Sequence, residues 1–276
     1  MTESVISLPV LNDTTGSGKA ESLTLRIERD LCYGSAHEVV AAVAYLIARS
    51  PSEVVIEIGQ INSVDSSGLR ALLAARSLCA GAGVGFRLDK VSDCVLRIVQ
   101  MSGLASLFGL RELDAPPAVN RDGLCLGSAV WKTCEHVAAS DPALIAVLRD
   151  RITSAALEAG ADGETLCDIK IAIGEALTNA YRHGSPRKGA SRIQVRCMTC
   201  SSAIVVEIED EGTPFDPNGI PDPDPRMLKD HGMGIFLMRQ AMDIVEFRSN
   251  CPGNRIRMVK WLTSGSGDEP TPRVSR

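Results

Sequence analysis

The sequence predicts an α/β protein of two domains. Short apolar strands alternate with amphipathic helices before and after residues 114–123, a proline-rich polar stretch. The length of 276 residues suits two domains of ordinary size. We therefore expect domains at 22–113 and 124–262, a linker at 114–123, a flexible lead-in at 1–21 and a disordered tail at 263–276.

Composition excludes some classes of function. The net charge is −5, from 29 basic and 34 acidic residues, so nothing favours bulk nucleic-acid binding. No apolar run approaches the roughly 20 residues of a membrane span, and the first residues lack the basic start of a signal peptide. We expect a cytoplasmic protein with neither nucleic acid nor membrane as a partner.

The nine cysteines are scattered along the chain. Cys197 and Cys200 form the one CxxC pair, and a zinc site would need a second pair. An odd number of cysteines in a cytosolic protein indicates reduced thiols, several of them simply core residues.

In the first domain, each strand is followed by a helix. The strand EVVIEIG is apolar enough to be buried on both faces of a sheet. Strands are predicted at LTLRIERD, EVVIEIG and VGFRLDK, and helices at GSAHEVVAAVAYLIARS, LRALLAARSLCAGAG and SDCVLRIVQMSG.

The informative stretch of this domain is INSVDSSGLRALL, residues 61–73, which joins a strand to a helix. Asp65, Ser66 or Ser67 can cap the helix, and an ordinary capped turn is the interpretation that spacing alone favours.

In the second domain, a helix carries EALTNAYRHG, residues 175–184. Glu175 and Asn179 are four residues apart and therefore share one face of the helix. A carboxylate and an amide one turn apart can hold Mg²⁺ and a reacting oxygen. The alternative is a solvated polar stripe on an amphipathic helix.

Two later stretches favour a nucleotide site. The strand IVVEIED ends at Asp210, whose carboxylate can accept from an exocyclic amine, and Gly212 lets the backbone turn towards a ligand. Gly232 and Gly234 precede an amphipathic helix, and glycine-rich backbone at a helix N-terminus binds phosphate.

This order of motifs resembles the N, G1 and G2 boxes of the GHKL ATPases, and EALTNAYRHG with GMGIFLM resembles the bacterial anti-sigma-factor serine kinases, over 124–262. The resemblance implies a Bergerat ATP-binding α/β sandwich. It also implies a general base, a Mg²⁺ ligand, an adenine-reading carboxylate and a pocket backbone: Glu175, Asn179, Asp210, and Gly212 with Gly232 and Gly234. The proline-rich loop 213–232 would be the ATP lid, from which Lys229 could contact phosphates.

DSSGL followed by an apolar helix resembles the STAS domains of anti-sigma-factor antagonists. This resemblance implies a mixed sheet with helices, and phosphorylation of the serine before the glycine, Ser67. The chemistry is consistent, because a seryl hydroxyl at an exposed helix start is accessible to a kinase. A phosphate there adds close to two negative charges, which the helix N-terminus partly stabilises. In the anti-sigma kinases, an arginine at the position of Arg149 lies on a helix that faces the protein partner.

Together the resemblances imply an ATP- and Mg²⁺-dependent protein serine kinase and anti-sigma factor. Its partners would be a sigma factor, a STAS antagonist (its own domain or a separate protein) and a second copy paired through the kinase domain. The alternative is a non-catalytic module that binds ATP and sequesters the sigma factor. A two-component histidine kinase is disfavoured, because an α/β domain replaces the required helical hairpin.

Overall fold

A computed structural model describes residues 22–111, 131–139, 141–187, 190–217, 232–249 and 253–262. They form an N-terminal unit and a C-terminal unit, each an α/β structure around its own sheet. The predicted linker, the lead-in, the tail and Lys229 lie outside the described residues. The domain boundaries at those segments stay predictions.

The N-terminal unit is built on a parallel sheet of order β1-β2-β3. Its elements are β1 (Ser22–Arg26), α1 (Ala36–Ile47), β2 (Glu53–Glu57), α2 (Ser66–Gly81), β3 (Gly85–Asp89) and α3 (Asp93–Met101), followed by a 3-10 turn (Ser106–Phe108). The central strand β2 buries Val54, Val55 and Ile56, which confirms its predicted burial on both faces. The three strands of this described sheet all run parallel.

The C-terminal unit has an antiparallel sheet of order β4-β5-β6-β8-β7, covered by helices. Its elements are β4 (Lys132–Ala139), α4 (Pro142–Glu158), α5 (Gly163–Arg182), β5 (Arg192–Cys200), β6 (Ala203–Asp210), α6 (Met233–Ala241), β7 (Ile244–Ser249) and β8 (Asn254–Trp261). Helix α5 packs on β6 and β8 and contacts both other helices. The predicted sandwich of one sheet and one helical layer is therefore confirmed.

Side-chain caps set the starts of the helices that matter for the site. Asp65 caps α2, as the sequence predicts, and Asp141 caps α4 with Pro142 in its first turn. Helix α4 buries Leu148 and Ile152, whereas Val147 is 44% exposed.

The two units pack directly against each other. Helix α3 of the N-terminal unit lies on α5, and α2 contacts α6. Buried apolar residues of both units belong to one continuous core. This packing brings the start of α2 onto the helix that carries Glu175. None of the described helices is both long enough and apolar enough to cross a membrane.

Candidate active site

The centre of the interface is a contact between Ser66 and Glu175. The Ser66 hydroxyl donates to Glu175 Oε2 at 2.9 Å, and the Ser66 backbone N–H donates to Oε1. Both residues are almost inaccessible to solvent, with 5% of Ser66 and 1% of Glu175 exposed. A seryl hydroxyl of one unit is therefore held by a carboxyl group of the other, shielded from bulk water.

The capping of α2 explains why Ser66 is the serine in contact. Asp65 Oδ1 accepts from the backbone N–H groups of Ser67 at 2.8 Å and Gly68 at 3.0 Å, which fixes the first turn. The N–H of Ser66 is not used by this cap and reaches Glu175 instead. The helix start thus presents Ser66, with both its backbone and its side chain, to the second unit.

Ser67 has a different environment. Its hydroxyl accepts from Arg70 Nη2 at 3.1 Å, within the same helix. The sequence predicts an exposed serine at this helix start, and that prediction is wrong, since both Ser66 and Ser67 are buried. The C-terminal unit covers the helix start, which sequence spacing alone does not reveal.

Burial raises the pKa of Glu175 to about 8. The negative charge of Asp65 adds to this effect, while the two hydrogen bonds from Ser66 oppose it. Burial also raises the pKa of Asp65. A carboxyl group with a pKa near neutrality is well matched to proton transfer at physiological pH.

A cavity of about 510 Å³ opens beside this contact and is lined by both units. Asn179, Asp210, Gly232 and Gly234 all line it, so the structure brings these sequence-predicted residues together. The N-terminal unit contributes Ser66 and Arg70 to the same wall. Its size lies within the usual range for small-molecule sites, roughly 300–1,000 Å³.

The predicted adenine-reading carboxylate is held in a fixed orientation. Asp210 Oδ1 accepts from the Gly212 backbone N–H at 2.9 Å and from Asn254 Nδ2 at 3.0 Å. Gly212 therefore contributes to the site by orienting the carboxylate of Asp210. Sequence reasoning missed Asn254, which lies opposite Asp210 in the β6–β8 ladder, because the pairing of distant strands leaves no local signal.

The glycines at the start of α6 are required by their positions. Gly232 precedes the helix with φ of 98°, a conformation that favours glycine. At Gly234, a side chain would collide with Glu175 Oε2. The first turn of α6 can therefore approach Glu175 closely. Its residues Gly232 to Ile235 line the cavity, and the free backbone N–H groups of a helix N-terminus can bind an anion.

Arg149 crosses the interface beside the site. Its guanidinium donates to Asp30 Oδ2 at 2.7 Å and to Ser63 Oγ at 2.8 Å, both in the N-terminal unit. The resemblance to the anti-sigma kinases implies a partner contact for Arg149, and here the side chain is buried, with 5% of the residue exposed. In this chain, the surface that Arg149 contacts is its own N-terminal unit.

A second ionic contact joins the two units at α5, seven residues before Glu175. Arg97 of α3 donates to both carboxylate oxygens of Asp168, at 2.7 and 3.1 Å, and forms an ion pair with Glu164 at 2.7 Å. Lys260 donates to Asp168 at 2.7 Å. Asp168 is nearly inaccessible, so this network neutralises a buried charge. Nothing in the sequence identifies Arg97 as an interface residue.

The residues present are compatible with a magnesium–nucleotide complex. Within the described ranges, no group of three or more histidine, cysteine or acidic side chains is placed to hold a metal ion. Mg²⁺ is usually bound by one or two protein groups together with substrate phosphates and water. Asn179, which lines the cavity near Glu175, is suited to that role.

Comparisons with known proteins agree with this architecture. The family model of the histidine kinase-like ATPase domain matches residues 138–260, and the Mlab, STAS domain model matches 15–112. The chain is 27% identical over 140 residues to the serine-protein kinase RsbW of Bacillus velezensis, covering 48% of this chain and 87% of that one. It is also 27% identical over 143 residues to RsbW of Listeria monocytogenes, covering 49% and 90%.

A solved structure of RsbU and RsbW domains from Mycobacterium tuberculosis aligns with 48% of this chain and 32% of its own, at 14% identity and a TM-score of 0.35. The assignment of the two domains rests on the two family models. The chain consists of a STAS domain followed by a histidine kinase-like ATPase domain, and the ATPase half is similar to RsbW serine-protein kinases.

Proposed function

We propose that this chain is a protein serine kinase that transfers phosphate from ATP to its own STAS domain. The observation that supports the proposal is the contact of the Ser66 hydroxyl with Glu175, buried beside a cavity of nucleotide size. An acceptor hydroxyl and a general base in direct contact are what phosphoryl transfer to serine requires.

In the proposed mechanism, Glu175 takes the proton of the Ser66 hydroxyl as the oxygen attacks the γ-phosphorus of ATP. The new bond forms between Ser66 Oγ and phosphorus, while the bond to the bridging oxygen breaks and ADP leaves. Asn179 would hold Mg²⁺, which neutralises phosphate charge when bound. Backbone N–H groups after Gly232 would stabilise the transferred phosphoryl oxygens. The contribution of Asp210 would be to orient the adenine.

The geometry favours Ser66 as the acceptor, whereas the resemblance to STAS antagonists implies Ser67. Ser66 Oγ is 2.9 Å from Glu175 Oε2, whereas the hydroxyl of Ser67 is bonded to Arg70. Successive residues of a helix point about 100° apart, so one rigid docking pose presents only one of the two. We assign the phosphate to Ser66, with Ser67 as the rival.

The assignment is tested by incubating the full chain with Mg·ATP and locating phosphate by fragment-ion mass spectrometry. We expect phosphate on Ser66, its loss in Ser66→Ala and its retention in the matched Ser67→Ala. Phosphate confined to Ser67 would reject the assignment but keep the kinase. A wild-type chain that gains none, while an added STAS domain also stays unmodified, would favour the non-catalytic module.

The proposed biological role is control of a sigma factor by exchange of partners. A phosphate on Ser66 would place close to two negative charges against Glu175 and Asp65 in a buried interface. This repulsion would expel the STAS domain and uncover the α4 surface around Arg149 for a sigma factor or a separate STAS antagonist. Mass spectrometry of proteins retained by the unphosphorylated and phosphorylated chains would identify that partner.

The predicted homodimer through the ATPase domain is kept as part of the proposal. Its support is the position of β4 at the edge of the sheet, where Val137 is exposed. Edge strands with exposed apolar side chains can pair with another copy.

A further inference from the structure

The STAS domain contributes a cation, Arg70, to the wall of the cavity proposed to bind nucleotide. Arg70 follows Ser66 by four residues in α2, so both side chains lie on one face of the helix. We propose that Arg70 completes the nucleotide site and binds the terminal phosphates of ATP while the STAS domain is docked. This inference rests on the proposed function.

The position of Arg70 matches the phosphate end of the cavity. Ser66 donates to Glu175, Gly234 lies close to the same carboxyl group, and both line the cavity together with Arg70. Transfer to the Ser66 hydroxyl requires the terminal phosphate to lie next to that hydroxyl. A side chain one helical turn from Ser66, in the same cavity wall, is therefore near the transferred phosphate.

The guanidinium is also held in place. Arg70 Nη2 donates to the Ser67 hydroxyl at 3.1 Å, and the Asp65 cap fixes the backbone of this turn. An arginine has five N–H donors, so this neutral partner leaves donors for a phosphate. The positive charge of Arg70 also favours the ionised forms of Glu175 and Asp65.

Three other arginines line the cavity, and all belong to the ATPase domain: Arg182, Arg248 and Arg255. Arg255 forms an ion pair with Glu209 at 2.5 Å, and Arg182 lies over the ring of Tyr33 in the STAS domain, 5.1 Å from its centroid. Arg70 differs from all three because it reaches the site only when the two domains are packed. The acceptor domain would thus bring its own phosphate-binding cation to the reaction.

This arrangement links nucleotide binding to docking. If Arg70 binds the phosphates only in the docked form, then nucleotide strengthens docking and docking strengthens nucleotide binding by the same factor. Removal of the STAS domain from the site would take the cation away as well, and the site would bind nucleotide more weakly.

The test measures binding of the non-hydrolysable analogue AMP-PNP with Mg²⁺ to the full chain by calorimetry. Arg70→Gln should weaken binding about tenfold, within the range for one charge-assisted hydrogen bond. The matched control Arg76→Gln, on the same helix but outside the cavity lining, should bind as the wild type does. Arg70→Lys, which keeps the charge, should recover part of the affinity.

A double variant tests whether the effect of Arg70 on nucleotide binding depends on docking of the STAS domain. In an Arg149→Ala chain, where a main docking contact is lost, Arg70→Gln should cause little further change. Equal weakening in both backgrounds, or an Arg70→Gln chain that binds as tightly as the wild type, would reject the inference and leave the kinase proposal standing. A wild-type chain that does not bind AMP-PNP at all would reject both.

Discussion

The Ser66–Glu175 contact and the Arg149–Asp30 contact both join the STAS domain to the ATPase domain, and they differ in kind. The first pairs a neutral hydroxyl with a carboxyl group whose ionisation burial opposes. The second pairs opposite charges 2.7 Å apart, with Ser63 as an additional acceptor. The two contacts therefore suit different roles. The Ser66–Glu175 contact is suited to proton transfer, and the Arg149–Asp30 ion pair is suited to holding the two domains together.

A second ionic contact, Arg97–Asp168, also holds the two domains together. Neither Arg97 nor Asp168 lines the cavity, so the STAS domain is held by two ionic contacts that are separate from Ser66. A change at Ser66 can therefore alter the chemistry without removing the ion pairs, and a change at Arg149 can loosen the domain without touching the base. Variants of Glu175 and of Arg149 should therefore affect phosphate transfer and domain packing separately.

The largest effect is expected for Glu175→Gln. The amide can still accept from the Ser66 backbone and contact its hydroxyl, so docking should persist, whereas the proton acceptor is lost. Phosphate incorporation, followed by intact mass, should fall about 10²- to 10⁴-fold. Glu158→Gln, an exposed change on α4, serves as the control. Undiminished incorporation in Glu175→Gln would remove Glu175 from the role of base.

Arg149→Ala should loosen the domains without removing the base. It leaves Asp30 without its ionic partner in a largely buried contact, at a cost of about 3 kcal/mol. Hydrogen exchange of peptides covering the start of α2 should then be faster, on the order of a hundredfold, since 1.4 kcal/mol corresponds to a factor of ten.

The matched control for that change is Arg151→Ala. Arg151 lies on the same helix, is exposed, and contacts His136 within the ATPase domain. Its loss should leave exchange at the start of α2 unchanged. If the two variants loosen the helix start equally, the Arg149 contact does not hold the domains together.

The smallest effect is the pH dependence of docking. Burial raises the pKa of Glu175 from 4.5 to about 8, so between these values the docked form holds a proton that the open form releases. Raising the pH therefore favours opening, and from pH 7 to 8 docking should weaken by about 1 kcal/mol.

That prediction is checked by hydrogen exchange at the start of α2, corrected for the intrinsic dependence of exchange on pH. Glu175→Gln cannot ionise and should show a flatter profile than the wild type. A wild-type interface that tightens as the pH rises would contradict the assignment of a buried, proton-binding carboxyl group to this contact.

The sequence was sufficient for the residues whose relation is local. Glu175 and Asn179 are one helical turn apart, and the glycines before α6 are adjacent to the helix they start, so spacing alone indicates their common site. The side-chain cap of α2 by Asp65 was equally readable, because it depends on three neighbouring residues.

Contacts between distant segments of the chain could not be predicted from the sequence. Arg149 and Asp30 are separated by 119 positions, and the packing of two separately folded surfaces leaves no periodic signal in either. The same reason explains why the burial of the α2 start was not foreseen. Which of two adjacent serines contacts Glu175 depends on the rotation of one helix against another, which composition and spacing do not specify.

The covalent connection between the two packed domains has a consequence for signalling. Separate proteins meet at a frequency set by how much of each the cell makes, so fluctuating synthesis changes the bound fraction. Here every ATPase domain carries one STAS domain at a fixed ratio, at an effective concentration independent of expression. The balance between docked and undocked STAS domains is then an intrinsic property of each chain, and any protein that competes for the docking surface must displace a domain that remains attached.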